Sequence, residues 1–122
     1  MAAPFSSFNQ IWSYPNTTVT GSSGSQTNAT ATATLPAVAN KTNFVTGFDI
    51  SSSGTIAAAV AATLTGAGSG TMTYQINTTP AFSSVQFSHP IPATALNTAI
   101  TLSVPALGAS GVGSANIYGF LV

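Results

Sequence analysis

The side chains that could carry acid–base or ligand chemistry are few: one Lys (Lys41), one Asp (Asp49) and one His (His89), with no Arg, Glu or Cys in 122 residues. A general base needs a partner within hydrogen-bond reach, and the one carboxylate side chain available to His89 is Asp49. A Ser–His–Asp set can be drawn with any of the serines, but there is no G-x-S-x-G elbow to hold the nucleophile. One His and one Asp cannot supply the three or four protein ligands of a metal site. The lack of Cys removes disulfides, thiolate–zinc sites and thiol nucleophiles together. Gly66-Ala67-Gly68-Ser69-Gly70 lacks the Lys of a phosphate-binding loop and no helix signal follows it, so it reads as a hairpin turn, and Gly108 to Gly113 reads as a flexible loop. These residues predict a protein that is not an enzyme and takes no cofactor. Lys41 and Asp49 read as a loop cation and a strand carboxylate satisfied locally.

Charged residues make up 2% of the chain, where an ordinary domain has roughly a quarter. Binding to nucleic acid or to an anionic membrane works through Lys and Arg, and a single cation excludes both as electrostatic partners. No run of 18 apolar residues is present to span a membrane, and the first residues, MAAPFSSFNQIW, have neither the basic nor the apolar region of a secretory signal. A net charge near zero gives little mutual repulsion and favours association.

What remains for recognition is aromatic and hydroxyl-bearing. Phe5, Phe8, Ile11, Trp12 and Tyr14 crowd the first residues and are too apolar to stand in water, which predicts that they anchor the chain on a neighbouring copy or a partner surface. Tyr74, Tyr118 and Trp12 are candidates for stacking on a sugar. Thr30, Thr32 and Thr34 repeat the spacing of an ice-binding strand, but in one rank only, with no repeat of fixed period.

The elements that must carry these groups are strands. Ala29 to Leu35 alternates Ala and Thr until Pro36 stops it. Asn43 to Ser51 places Phe44, Thr46, Phe48 and Ile50 on one face and Val45, Gly47 and Asp49 on the other. Met72, Tyr74 and Ile76 share a face, as do Ile100, Leu102 and Val104. Val85 and Phe87 form a shorter run ended by His-Pro-Ile-Pro, and Ala115 to Val122 reads as the closing strand. Ile56 to Leu64 has both helical and strand spacing; its shortness and the glycine turn after it favour a strand. Six or seven strands without a convincing helix predict an all-β antiparallel sandwich of jelly-roll type. Residues 1–28 read as an extended N-terminal arm with the Gly/Ser tract Gly21 to Ser25 as its hinge, and 29–122 as the sandwich domain. In the alternative reading, Ile11 to Tyr14 and Thr18 to Thr20 are the first strands of the core.

The succession LPAVANKTNFVTGFDI (Leu35 to Ile50), TLTGAGSGTMTYQI (Thr63 to Ile76), HPIPATALNTAITLSVPALGA (His89 to Ala109) and NIYGFLV (Asn116 to Val122) resembles a group of small structural proteins of tailed bacteriophages. The order of these motifs, over about Ala29 to Val122, carries the resemblance. It implies a virion component, most similar to a decoration or cement protein: a β-sandwich assembled as a homotrimer on the outer capsid surface, with itself and the major capsid protein as partners. The few charges and the aromatic arm are departures from that group. A virion-surface carbohydrate-binding or host-adhesion module is the alternative expectation.

Overall fold

The structure, a computed structural model, describes residues 17–122. Every regular element among them is a strand: β1 (Thr17–Ser22), β2 (Gln26–Thr27), β3 (Ala31–Leu35), β4 (Asn43–Thr55), β5 (Val60–Thr65), β6 (Met72–Ile76), β7 (Phe82–Pro92), β8 (Ile100–Val104) and β9 (Ser110–Leu121). They form two antiparallel sheets packed as a β-sandwich. One has the order β1-β9-β4-β7, with β2 also on β9; the other has the order β3-β8-β5-β6. Only β5 to β6 is a hairpin within one sheet, and each connection from β2 to β5 and from β6 to β9 crosses between the sheets. The hairpin turns where the glycine run lies. Gly66 has φ +88°, and a Cβ there would fall on the Ala99 carbonyl oxygen, so the turn needs glycine twice over.

Period-two patterning predicts the inward faces of β6 and β8 correctly, and the Ala/Thr alternation of β3 resolves with its Ala and Leu side inward. Ala31, Ala33 and Leu35 of β3, Ile76 of β6, and Ile100, Leu102 and Val104 of β8 are buried, while Thr32, Thr73 and Gln75 are exposed. With Ala62 and Leu64 of β5, Phe48 and Ile50 of β4, and Ala115 and Ile117 of β9, they make one continuous core. The small Ala side chains let the sheets approach closely, and each buried Leu, Ile or Phe contributes about 1.5–3 kcal/mol of transfer free energy.

Three expectations are corrected. In β4 the face switches part-way. Val45 pairs with Gly119 and Gly47 with Tyr118, leaving Thr46 as an extra residue in a β-bulge. Asn43 and Val45 therefore point inward before the bulge and Phe48 and Ile50 after it, and Phe44 points out. Against β7 the same bulge is wider, since Val45 pairs with Ile91 and Gly47 with Gln86. Phe87 to Pro90 thus run unpaired, and β7 continues through both prolines instead of ending there, as an edge strand can.

Second, Gly21 to Ser25 is not a hinge. β1 pairs along β9 from Thr17↔Leu121 to Ser22↔Asn116, and β2 resumes on the same strand at Gln26↔Gly113. Between them Ser23 is held by two bonds to Ala115: its N–H donates to the carbonyl at 2.9 Å and its Oγ accepts from the N–H at 2.8 Å. Residues from Thr17 onward therefore belong to the sandwich, which agrees with the strand reading of Thr18 to Thr20. A Cβ on Gly21 would strike the Thr34 carbonyl oxygen, so the sheets meet backbone to backbone along this side. Third, Ser110 to Gly113 is the beginning of β9, paired to Ser52 through Thr55 of β4, not a loop.

Candidate functional site

Residues opposite one another in an antiparallel sheet share a face, so the register defines three rows across the outer side of the five-stranded sheet. The first is Thr18–Phe120–Phe44–Pro92, the second Thr20–Tyr118–Gly47–Gln86, and the third Ser22–Asn116–Asp49–Ser84. In the first row the Phe44 and Phe120 rings stack with centroids 5.1 Å apart and planes 7° from parallel, both half-buried. Between the second and third rows the Tyr118 hydroxyl donates to Asp49 Oδ2. That bond, with partial desolvation and the charge of Asp49 added to it, holds the Tyr118 phenol above its usual value. The carboxylate is thus partnered within the surface, and the rows present the rings of Phe44, Phe120 and Tyr118 among hydroxyl and amide groups. The bulge is tied down as well: Thr46 Oγ1 donates to the Tyr118 carbonyl at 3.2 Å.

A second feature lies at the seam where the edge strands β6 and β7 face each other without pairing. A cleft of about 330 Å³ there reaches the core at Phe48 and Ile50 and is walled by Tyr74, Ile76 and Val85, with Gln75 and Ser83 adding polar groups. Tyr74 meets the Phe48 ring edge-on at 4.8 Å and 70°, and burial pushes its phenol above the ordinary value. A smaller hollow of about 180 Å³ beside Ser52 and Ala81 continues the cleft at one end, and a separate hollow of about 350 Å³ lies beside Met72 and Ile91.

Next to Phe44 lies a loop latch that sequence reasoning missed. Asn43 is 1% exposed, and its Nδ2 donates to the carbonyls of Pro36 at 2.9 Å, Thr98 at 3.1 Å and Leu35 at 3.4 Å. It joins the β3–β4 connection to the β7–β8 connection directly beneath Phe44. An Asn at a predicted strand start carries no signal that it will be buried; in this chain it became inward-facing only through the Thr46 bulge.

The residues singled out for chemistry are not brought together. His89 lies exposed in the unpaired part of β7, its Nδ1 3.4 Å from Ser88 Oγ, while Asp49 is engaged by Tyr118. Lys41 is exposed in the β3–β4 loop, where its backbone carbonyl accepts from the Asn97 N–H at 2.8 Å. Among the described residues no cluster of three potential metal ligands occurs. Tyr74 and Tyr118 sit on separate features, seam and outer face, and do not form one stacking platform. Thr32 and Thr34 project from β3, Thr34 Oγ1 lying 3.5 Å from Thr101 Oγ1. Phe5, Phe8, Ile11, Trp12 and Tyr14 lie outside the described residues. No protein-family model matches the chain, and no curated protein matches it.

Proposed function

We propose that this chain is a structural virion protein, a homo-oligomer that decorates and cements the outer surface of a bacteriophage capsid without catalysis, with the major capsid protein as its partner. The observation that carries this reading is the outer face of the five-stranded sheet. Its rows of aromatic, hydroxyl and amide groups, with Asp49 accepting a hydrogen bond from Tyr118 inside the surface, suit binding by contact area and hydrogen bonds more than by charge. The strand order β1-β9-β4-β7 against β3-β8-β5-β6 supports the jelly-roll form of the sandwich, an architecture common to capsid and lectin domains. Near-zero net charge and the edges of β6 and β7, which pair with no further strand among the described residues, support association of copies, most simply as a trimer.

The test is re-binding of purified protein to stripped capsids across a salt series, with free DNA as competitor. Only Lys41, Asp49 and the chain ends can feel screening at a Debye length of about 10 Å in 0.1 M salt, so occupancy should stay flat and DNA should not compete. A steep fall with salt, or displacement by DNA, rejects the reading. Sedimentation at micromolar concentration should give an oligomer, and a monomer there removes the oligomer from the proposal. The seam cleft, with Tyr74 beside Gln75 and Ser83, favours one second reading, a glycan-binding adhesion module. Hundreds of copies per particle fit decoration; a handful fit an adhesin.

A further inference from the structure

The outer edge of β7 is closed along one half and open along the other. Backbone N–H and C=O groups of successive strand residues point to alternate sides, and two bonds fix which side is which. The Ala81 carbonyl accepts from the Ser52 N–H at 2.9 Å and the Ala93 N–H donates to the Asn43 carbonyl at 2.7 Å, so the odd-numbered residues between them turn toward β4. In keeping with this, a Cβ on Gly47 would strike the Val85 carbonyl oxygen. The even-numbered residues turn away from β4. Two of these, Pro90 and Pro92, have no N–H, and the Pro92 carbonyl already accepts from the Gly68 N–H at 2.9 Å. Phe82, Ser84, Gln86 and Ser88 lack that protection. On this side they pair with no strand among the described residues, none of them is charged, and the Phe82 side chain is 67% exposed. Edges that stay single are blunted by a charge, a proline or a bulge, and the outward side of this half has none of the three.

We propose that a second copy of the chain pairs along this half, β7 against β7, antiparallel about a two-fold axis at Val85. In that register Phe82 meets Ser88 of the second copy, Ser83 meets Phe87, Ser84 meets Gln86, and Val85 meets its own counterpart. The occupant is argued from fit, area and charge. On both faces of the new pair each aromatic ring stands opposite a serine, so bulk meets space. On the inner face Ser83 and Val85 wall the seam cleft, and Phe87 of the second copy comes to rest at its mouth. The outward-turned residues make four hydrogen-bonded pairs of two bonds each, about eight bonds. At about one bond per 100–200 Å² that corresponds to roughly 800–1,600 Å², which reaches the size of a stable interface. Asp49, opposite Ser84, stands at least three strand spacings, about 14 Å, from its counterpart, beyond the Debye length of about 10 Å in 0.1 M salt. A two-fold contact closes on itself and builds no trimer. This inference therefore stands apart from the decoration reading: it makes the solution assembly an even number of copies, either a dimer or two trimers joined.

Sedimentation of the full chain at micromolar concentration should give that even number. Ser84→Lys sets a charge on the open edge and leaves the bonds to β4 in place; with the β spectrum in circular dichroism retained, it should halve the sedimenting mass. Ser84→Pro removes one outward N–H and should do the same. A second measurement needs neither variant. The chain has no Cys, so Val85→Cys carries a single thiol. Across the axis the two Cα atoms lie about 4.5 Å apart, within disulfide reach, and mild oxidation should convert this variant to a covalent dimer. Thr73→Cys, on the exposed side of β6, should cross-link at least about tenfold more slowly. Where a Ser84 variant loses the β spectrum, the cross-linking rates decide. A monomer or an odd number of copies in the parent, a folded Ser84→Lys chain of unchanged mass, or a Val85→Cys chain that cross-links no faster than Thr73→Cys each overturn the proposal, and a plain trimer does so while leaving the decoration reading intact.

Discussion

Phe44 and Phe120 stack 5.1 Å apart on the outer face of the five-stranded sheet because Thr46, two residues after Phe44, is the extra residue of a bulge. The relationship is a matter of phase. With Thr46 present, Asn43 and Val45 point into the core on one side of the bulge while Phe48 and Ile50 do so on the other. Deleting Thr46 should restore strict alternation and so force either Asn43 and Val45 or Phe48 and Ile50 out of the core. We expect that deletion to abolish cooperative urea unfolding, whereas Thr46→Ala, which removes only the bond to the Tyr118 carbonyl, should cost about 0.5–1.5 kcal/mol. A deletion variant that unfolds like the parent would contradict the phase argument.

Asn43→Ala should be among the more damaging polar substitutions. It leaves the carbonyls of Leu35, Pro36 and Thr98 without their side-chain donor, and a buried group stripped of its partner costs about 1–3 kcal/mol. Asn43→Asp should be worse, because it replaces the donor with a charge in a buried site. Urea midpoints of both variants, with the slope unchanged, check the order.

The close approach of β1 to β3 predicts that Gly21→Ala is destabilising although β1 is an edge strand. The added methyl meets the Thr34 carbonyl, a backbone atom that cannot rotate away, and overpacking of this kind costs about 1–3 kcal/mol. Gly24→Ala makes a useful contrast, since nothing lies near its Cβ and only its positive φ opposes the change. Thermal melts should show Gly21→Ala as the larger loss.

Tyr118 supplies a pH dependence. Its phenol is held above the ordinary value of 10.0 by the hydrogen bond to Asp49, followed by desolvation and the carboxylate charge. A folded value above the unfolded one means that the folded state keeps the proton longer. The contribution is therefore complete below pH about 10 and is lost as pH rises through the folded value. Asp49→Asn should bring the Tyr118 titration, followed by phenolate absorbance, back toward the ordinary value and flatten stability in that alkaline window. A Tyr118 titration that ignores the substitution would show that the bond is not what raises it.

Much of the sandwich was legible before any coordinates. The inward faces of β6 and β8 follow from alternation alone, since a side-chain period of two on a half-buried strand leaves apolar residues only one side to occupy. The turn at Gly66 to Gly70 is as local, because it needs backbone conformations and clearances that favour glycine. So is the scarcity of charge, which composition states outright.

Tertiary structure decided the rest. Alternation carries a face assignment along a strand only until the first bulge, and the Thr46 bulge is defined by the register of β9 and β7 against β4, residues far away in the chain. That register buries Asn43, exposes Phe44 and sets Tyr118 diagonal to Asp49. Likewise, Gly21 to Ser25 has the composition of a hinge, and it is ordered only because β9 offers hydrogen bonds on both sides of it and Thr34 packs beneath it. Local residue types determined which segments are strands; long-range pairing determined which side chains reach the surface, and the recognition surface is made of those.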